Sequence, residues 1–305
     1  MNEIPWSSHS VLLREVVFDG YLVAKTPLRV GAGREPPLGS AVDLAVIRIP
    51  LSGKLVPYIP GSSLKGVFRS TALQLARLKG LSVCSGLSKE TCMDWEYPEF
   101  GGVTLLDKIR ELLSEKQNLE AIKLFHSKAC LLCKVFGAPS FTGHVEFSDA
   151  YPLVEERGEP SDVPVGVRTG IAIDRRTGAV HRGALYEVEF IEPGAKFWFS
   201  IRTTNLPNYA LGLLAKTLIM LNEGWVKVGG FKTRGFGEVK VKGLHFKAKG
   251  PKVDGTKLLG LDDSDEEVDL ANLARLSEGW LEVEGDNAWI LLKKLEEVWD
   301  RAKLA

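Results

Sequence analysis

Apolar and polar residues alternate along residues 15–24 (EVVFDGYLVA), the two-residue period of a strand with one buried face, and less strictly along 42–50 (VDLAVIRIP). A glycine- and proline-rich loop, LRVGAGREPPLGS, separates them. In residues 62–80 the period changes: Leu64, Val67, Phe68, Leu75 and Leu78 fall near helical spacing, with Ser62 or Ser63 available as N-cap. Residues 81–135 break the pattern with four cysteines, an aromatic-rich stretch and two helical pieces, at 105–115 and ending near His126, and read as an insertion. Alternation resumes at HVEFSDA, at 166–173, at LYEVEFI and at KFWFSIRT, and a second long helix is predicted over 209–222. Two further strands, WVKVG and GEVKVKGLHF, flank the turn GGFKTRGFG. From about residue 247 the chain reads as a linker with two short helical pieces, the last amphipathic. This order predicts the α+β class with a ferredoxin-like, split βαβ core. Residues 1–80 and 136–246 would be its halves, 81–135 a cysteine-bearing helical insertion and 247–305 an acidic linker with a helical extension.

Composition narrows the classes. With 45% hydrophobic and 26% charged residues in 305, the chain can bury a core. No run of eighteen apolar residues exists and the N-terminus lacks an apolar h-region, so a cytoplasmic protein with no membrane partner is expected. The 39 basic and 39 acidic side chains balance overall but not locally. Residues 251–305 carry 7 Lys and Arg against 14 Asp and Glu, leaving 32 against 25 in the rest. A basic body suits a polyanion, and the run Asp262, Asp263, Asp265, Glu266, Glu267, Asp269 reads as a solvated acidic segment.

Four places could carry chemistry. At IPGSSLKGVFR a helix opens after a tight turn, so free N–H groups, Ser62, Ser63, Lys65 and Arg69 could hold phosphate, although a serine-capped helix with surface bases is the plainer reading. The stretch from Gly229 to Gly237 combines Gly229, Gly230, Gly235 and Gly237 with Lys232, Arg234, Phe231 and Phe236, which suits close approach, phosphate contact and base stacking, or a hairpin whose aromatics belong to the core. Neither stretch has Walker A or dinucleotide-fold spacing. Cys84, Cys92, Cys130 and Cys133, spaced C-x7-C and C-x2-C, suit structural Zn2+, with His126 as a possible substitute ligand and disulfides as the alternative. Asp43 ends the glycine- and proline-rich loop, where most acids are turn or cap residues. His144 and His181 could exchange protons but are more simply structural.

The ordered series YIPGSSLKGVFRS, CLLCKVFG with VEFSDAYP, VGVRTGIAIDRRTGAVHRGALYEVEFIEPGAKF and GGFKTRGFGEVKV, spread over residues 15–246, resembles the RAMP superfamily of CRISPR proteins. It is most similar to the repeating backbone subunit of type III (Csm/Cmr-like) effector complexes. The resemblance implies an RRM-like palm, a β-hairpin thumb over residues 168–183 and a loop aspartate matched by Asp43. It further implies guide RNA held by Lys65, Arg69 and the 229–237 loop, with Arg168, Arg175, Arg176, His181 and Arg182 on the thumb. Cleavage of complementary target RNA at Asp43, with a divalent cation such as Mg2+ and with Arg29 and Arg34 near the phosphate, would make the chain a metal-dependent endoribonuclease of antiviral defence. Partners would be guide RNA, target RNA, other type III subunits and copies of itself. The insertion and the acidic extension depart from a minimal backbone subunit, so a non-catalytic capping subunit or a stand-alone zinc-stabilised ribonuclease is the alternative.

Overall fold

A computed structural model of the chain describes residues 4–31, 33, 42–153 and 160–304. In chain order its elements are β1 (Glu15–Ala24), β2 (Arg48–Leu51), β3 (Lys54–Pro57), α1 (Gly61–Leu78), α2 (Leu105–Ser114), α3 (Asn118–Lys128) and α4 (Leu131–Phe136). There follow β4 (Val145–Phe147), β5 (Tyr151–Pro152), β6 (Val165–Ile173), β7 (Val180–Ile191), β8 (Lys196–Thr204), α5 (Asn208–Glu223) and β9 (Val239–Lys249). The chain closes with β10 (Val253–Asp254), β11 (Lys257–Leu258), β12 (Val268–Asp269), β13 (Arg275–Ser277), β14 (Trp280–Glu284) and α6 (Asp286–Arg301). The class is α+β.

β1 lies inside an antiparallel sheet ordered β13-β14-β9-β1-β8-β4, with β5 also on β8. Four neighbouring strands, β9-β1-β8-β4, with α1 and α5 follow the chain as strand, helix, strand, strand, helix, strand. Alternation sorts the sheet's faces: Val16, Phe18 and Leu22 of β1, Phe197, Phe199 and Ile201 of β8, and Val241, Phe246 and Ala248 of β9 are buried. α1 and α5 cover that face and α6 packs on α5. α5 is apolar on most faces because it is enclosed on all sides, down to Asn208 and Thr217. Gly212 marks the tightest helix crossing, since a Cβ there would stand 2.1 Å from the Leu295 carbonyl oxygen of α6. The insertion has a second, smaller core around Cys92, Met93, Leu105, Ile109 and Phe125.

Several expectations are corrected. Residues 42–50 do not form one strand: Leu44 bridges Val188 in parallel, Val46 bridges Gly31, and only β2 is regular, paired with β3. Trp225–Gly229 is not a strand but an irregular turn, because α5 ends on the left-handed Gly224 and the chain folds back onto residues 27–30. α1 starts with Pro60 as N-cap, and the Gly61 N–H is taken by the remote Asp149 carboxylate at 2.7 Å, so neither serine caps it. The acidic run is not merely solvated. Asp262 accepts from Trp6 Nε1 at 3.1 Å and the Tyr209 hydroxyl at 2.8 Å, and Asp265 accepts from the Tyr209 and Leu261 N–H groups. Beyond residue 247 the chain forms short strands and one helix instead of a linker with two helices, and β14 extends the main sheet beside β9.

Candidate nucleic-acid interface and cysteine centre

The segment after the glycine- and proline-rich loop lies along the β6–β7 hairpin. Leu44 exchanges backbone hydrogen bonds with Glu187 and Glu189, and the Asp43 Oδ2 atom accepts the Glu187 N–H at 2.8 Å. Below it the Glu189 carboxylate accepts the Val46 N–H at 2.9 Å and a forked pair from the Arg48 guanidinium. Burial pushes Glu189 up, but Arg48 and the Val46 N–H outweigh it and hold the carboxyl below its ordinary range. Asp43 is thereby fixed to the hairpin's root while staying exposed to solvent.

The glycine-rich turn meets that root. Arg234 donates to the Tyr186 hydroxyl at 2.7 Å, and the Phe231 ring has the guanidinium of Arg29 at 5.5 Å and that of Arg234 at 5.2 Å. Phe231 holds a left-handed backbone, φ 57°, which strains a non-glycine residue. Leu44, Tyr186, Gly230, Phe231 and Arg234 line an open cavity of about 590 Å³. Arg168 extends the cationic edge over the rings of Phe236 at 4.9 Å and Phe190 at 5.6 Å. Arg29 is nearly buried; it donates toward the Leu44 carbonyl at 3.4 Å, and desolvation lowers its pKa.

The glycines work differently from the sequence reading. At Gly229 and Gly237 a Cβ would stand 2.2 Å from the Arg29 carbonyl oxygen and 2.3 Å from that of Val228, so the close approach is to the chain itself. Gly230 donates its N–H to the Arg29 carbonyl, and only Gly235, beside the exposed Lys232 and Arg234, has open space around it. On the hairpin, Gly166 and Gly170 leave room for the cross-strand rings of Phe190 and Tyr186. The hairpin is longer than the predicted 168–183. At its tip Arg175 is exposed and Arg176 pairs with Asp174 at 3.6 Å. Arg182 and His181 lie in β7 with side chains outside those described, and Arg34 lies outside the described residues.

The α1 start is a separate place, at the β4 edge against Phe147–Asp149. Ser62 is exposed, and Ser63 and Lys65 are half-buried, the lysine pKa lowered by desolvation and by Arg69. Arg69 does not face this helix end. It donates to the Gly137 carbonyl at 3.0 Å, lies 4.0 Å from Cys133 Sγ and covers the Phe136 ring. His144 is buried, its Nδ1 atom bonded to the Thr204 carbonyl at 2.9 Å, with His9 stacked on it at 4.0 Å.

All four cysteine Sγ atoms lie within 4.8 Å of one another, with Cys84 3.2 Å from Cys133 and 3.7 Å from Cys130. A tetrahedral Zn–thiolate set, with bonds of about 2.3 Å, has sulfurs roughly 3.8 Å apart, so this all-sulfur, closed donor set fits structural zinc. The four thiols lie close enough to titrate as one coupled set, in which contacts from the other three cysteines hold Cys84 below the ordinary range. The Cys130 N–H on Cys92 Sγ at 3.3 Å and the Arg69 guanidinium would offset thiolate charge. His126 is not part of the set: its Nδ1 bonds Ser7 Oγ at 2.8 Å and its ring meets Trp6 edge-on. The H-x3-C spacing would align the two residues on one helix, but α3 ends at Lys128 and Ala129 is extended, which turns Cys130 away. Among the described residues the cysteines are the only group of three or more metal-ligating side chains, and Asp43 belongs to none.

Arg48, Glu189, Tyr186 and Phe190 were missed by sequence reasoning. The available signal was the glycine–aromatic pairing across the hairpin; the Arg48–Glu189 pair, 141 residues apart, left none.

The arginine- and aromatic-lined junction beside an exposed hairpin offers guanidinium groups and rings of the kind that contact a polyanion. The sequence profile of the RAMP superfamily matches residues 21–240, so the chain belongs to that superfamily, whose members bind RNA and work in CRISPR complexes. No curated protein matches the chain. Among the described residues no helix is long and apolar enough to cross a membrane.

Proposed function

We propose that the chain is a guide-RNA-binding backbone subunit of a type III CRISPR effector, acting in the cytoplasm beside other effector subunits and copies of itself. Its neighbouring strands β9-β1-β8-β4 are read as a ferredoxin-like palm and β6–β7 as the thumb. The observation that carries the reading is the convergence of Asp43, Tyr186, Phe231 and Arg234, from three distant segments, on one open, cationic junction. RNA crossing it would stack a base on Phe231 or Tyr186 and rest phosphate on Arg234 and Lys232. Structural zinc would close the cysteine insertion and take no part in the chemistry.

Within the assembled complex the same reading gives Asp43 a part in cutting complementary target RNA, by helping the 2′-hydroxyl attack the adjacent phosphate; a divalent cation such as Mg2+ would need ligands from beyond the described residues, among which Asp43 belongs to no metal-ligating group. A non-catalytic role is the second reading, favoured because the Asp43 carboxylate already accepts the Glu187 N–H. Two measurements separate them. RNA that co-purifies from the native host is expected to be uniform and to carry repeat-derived ends; heterogeneous RNA, or none, counts against a guide-bound subunit. In a reconstituted complex, Asp43→Asn keeps an acceptor for Glu187 and removes the charge, so guide binding should persist while target cutting falls about 100-fold or more. Undiminished cutting removes Asp43 from the reaction, and a wild-type complex that never cuts favours the non-catalytic reading.

A further inference from the structure

The face of the main sheet opposite α1 and α5 carries a row of aromatic side chains. Lys242 of β9, Tyr21 of β1, Trp198 of β8 and Tyr151 of β5 are successive cross-strand partners, so their side chains share one face. Tyr58 continues the row, stacked on Tyr151 at 5.8 Å and 25°. Neighbours along the strands, Leu22, Phe197 and Val241, point into the core instead. Trp198 is 42% exposed.

The charges beside this row are unequal. On one side the carboxylates already have partners: Asp19 faces the His245 ring at 3.7 Å, Glu15 faces Lys249 at 3.2 Å and Glu284 faces Arg275 at 3.1 Å. Lys242, at the end of the row, and Lys196, on its other side, are exposed and without an ion pair among the described residues, and Lys240, beside Lys196 across Val23, reaches the Asn222 carbonyl. A bulge at Gly20 and Gly243 opens a depression of about 420 Å³ next to Tyr21 and Trp198, bordered by Asp19 and His245. The His245 Nε2 atom is buried there without a hydrogen-bond partner. Flat rings, unpaired lysines at the end and flank of the row and an unsatisfied polar atom in an adjoining hollow are complementary to unstacked bases on a phosphate backbone, and a duplex could not present its bases to them.

The geometry points to a second RNA surface on this chain: single-stranded RNA stacks its bases on Tyr21, Trp198 and Tyr151, with phosphates along Lys196 and Lys242. This rests on the reading that the chain works on RNA, yet it uses residues apart from the Asp43 junction, so the two can fail separately. The test is fluorescence anisotropy of a labelled twelve-nucleotide oligouridine with the purified full chain at several salt concentrations. Trp198→Ala and Tyr21→Ala should each weaken binding about tenfold. Lys196→Ala with Lys242→Ala should reduce the slope of log affinity against log salt by about 1.4. Both lysines and Trp198 are exposed, so these variants keep the fold, which circular dichroism checks. Arg234→Ala reports on the junction. Loss on Trp198→Ala but not on Arg234→Ala supports the sheet surface alone. Loss on Arg234→Ala with Trp198→Ala and Tyr21→Ala unchanged overturns the sheet surface and leaves the junction standing. No binding by the wild-type chain, or equal binding of a duplex competitor, also overturns it.

Discussion

One buried and two half-buried titratable residues, His144, His126 and Asp265, bind the ends of the chain to its middle, and their desolvation makes stability depend on pH. Desolvation lowers both His126 and His144 to about 4, and raises Asp265 to about 6. As pH falls from about 6.5 to about 4, the unfolded chain protonates both histidines while the folded chain does not, so each withdraws stability. Asp265 acts oppositely: between about pH 6 and 4 the folded chain holds a proton that the unfolded chain has lost, which adds stability. Two losses against one gain leave a net fall of a few kcal/mol on acidification. Denaturant melts at pH 7.5, 5.5 and 4.5 should show it, and His144→Asn, which keeps a donor for the Thr204 carbonyl, should flatten the slope. An unchanged slope would mean that His144 titrates normally. None of this was legible beforehand, because a residue's type says nothing of its desolvation: Asp262 and Asp265 sit in a run whose composition reads as solvent-facing.

Among the elements, the cysteine insertion is the one with a core of its own, and its helices α2 and α3 contact each other more than the sheet. That separation gives zinc a local effect. Replacing Cys92 with Ser should abolish the one zinc per chain expected from elemental analysis. Amide exchange in α2 and α3 should then rise at least about tenfold while β1, β8 and β9 stay protected. Equal loss of protection across the main sheet would mean that the insertion is welded to the core, with Arg69 the link to examine. At this scale the pattern reading was strongest where one face is buried: residues 15–24 match β1, and the second long helix matches α5 within a residue. It failed at 42–50 and 225–229, where the chain makes isolated bridges to β7 and residue 31 or turn contacts with residues 27–30 without a regular ladder, a distinction that periodicity does not carry.

At the scale of the molecule, the region after residue 247 belongs to the fold. β14 completes the sheet beside β9, and α6 buries Leu291, Leu292, Leu295, Val298 and Trp299. Its seat depends on Gly212, so Gly212→Ala should push α6 away and cost about 1–3 kcal/mol in a urea melt. Gly66→Ala is the contrast: it lies in α1 with open space around it and should be neutral or stabilising by up to about 1 kcal/mol. Equal effects from both would contradict the α5–α6 packing.

By itself the sequence determined the α+β class, the two long helices, the strands with one buried face, the cysteine set and the superfamily, because each is written in local periodicity, spacing or an ordered series of motifs. Tertiary structure decided the rest. It excluded His126 from the cysteines, turned Arg69 toward them, and used Gly229 and Gly237 for internal packing. It also joined Asp43 to Glu187 and set Tyr21 beside Trp198. Apart from Gly237 on Val228, these are meetings of residues from about sixty to two hundred positions apart, and they depend on strand register, helix ends and burial, which are fixed only when the whole chain closes on its core.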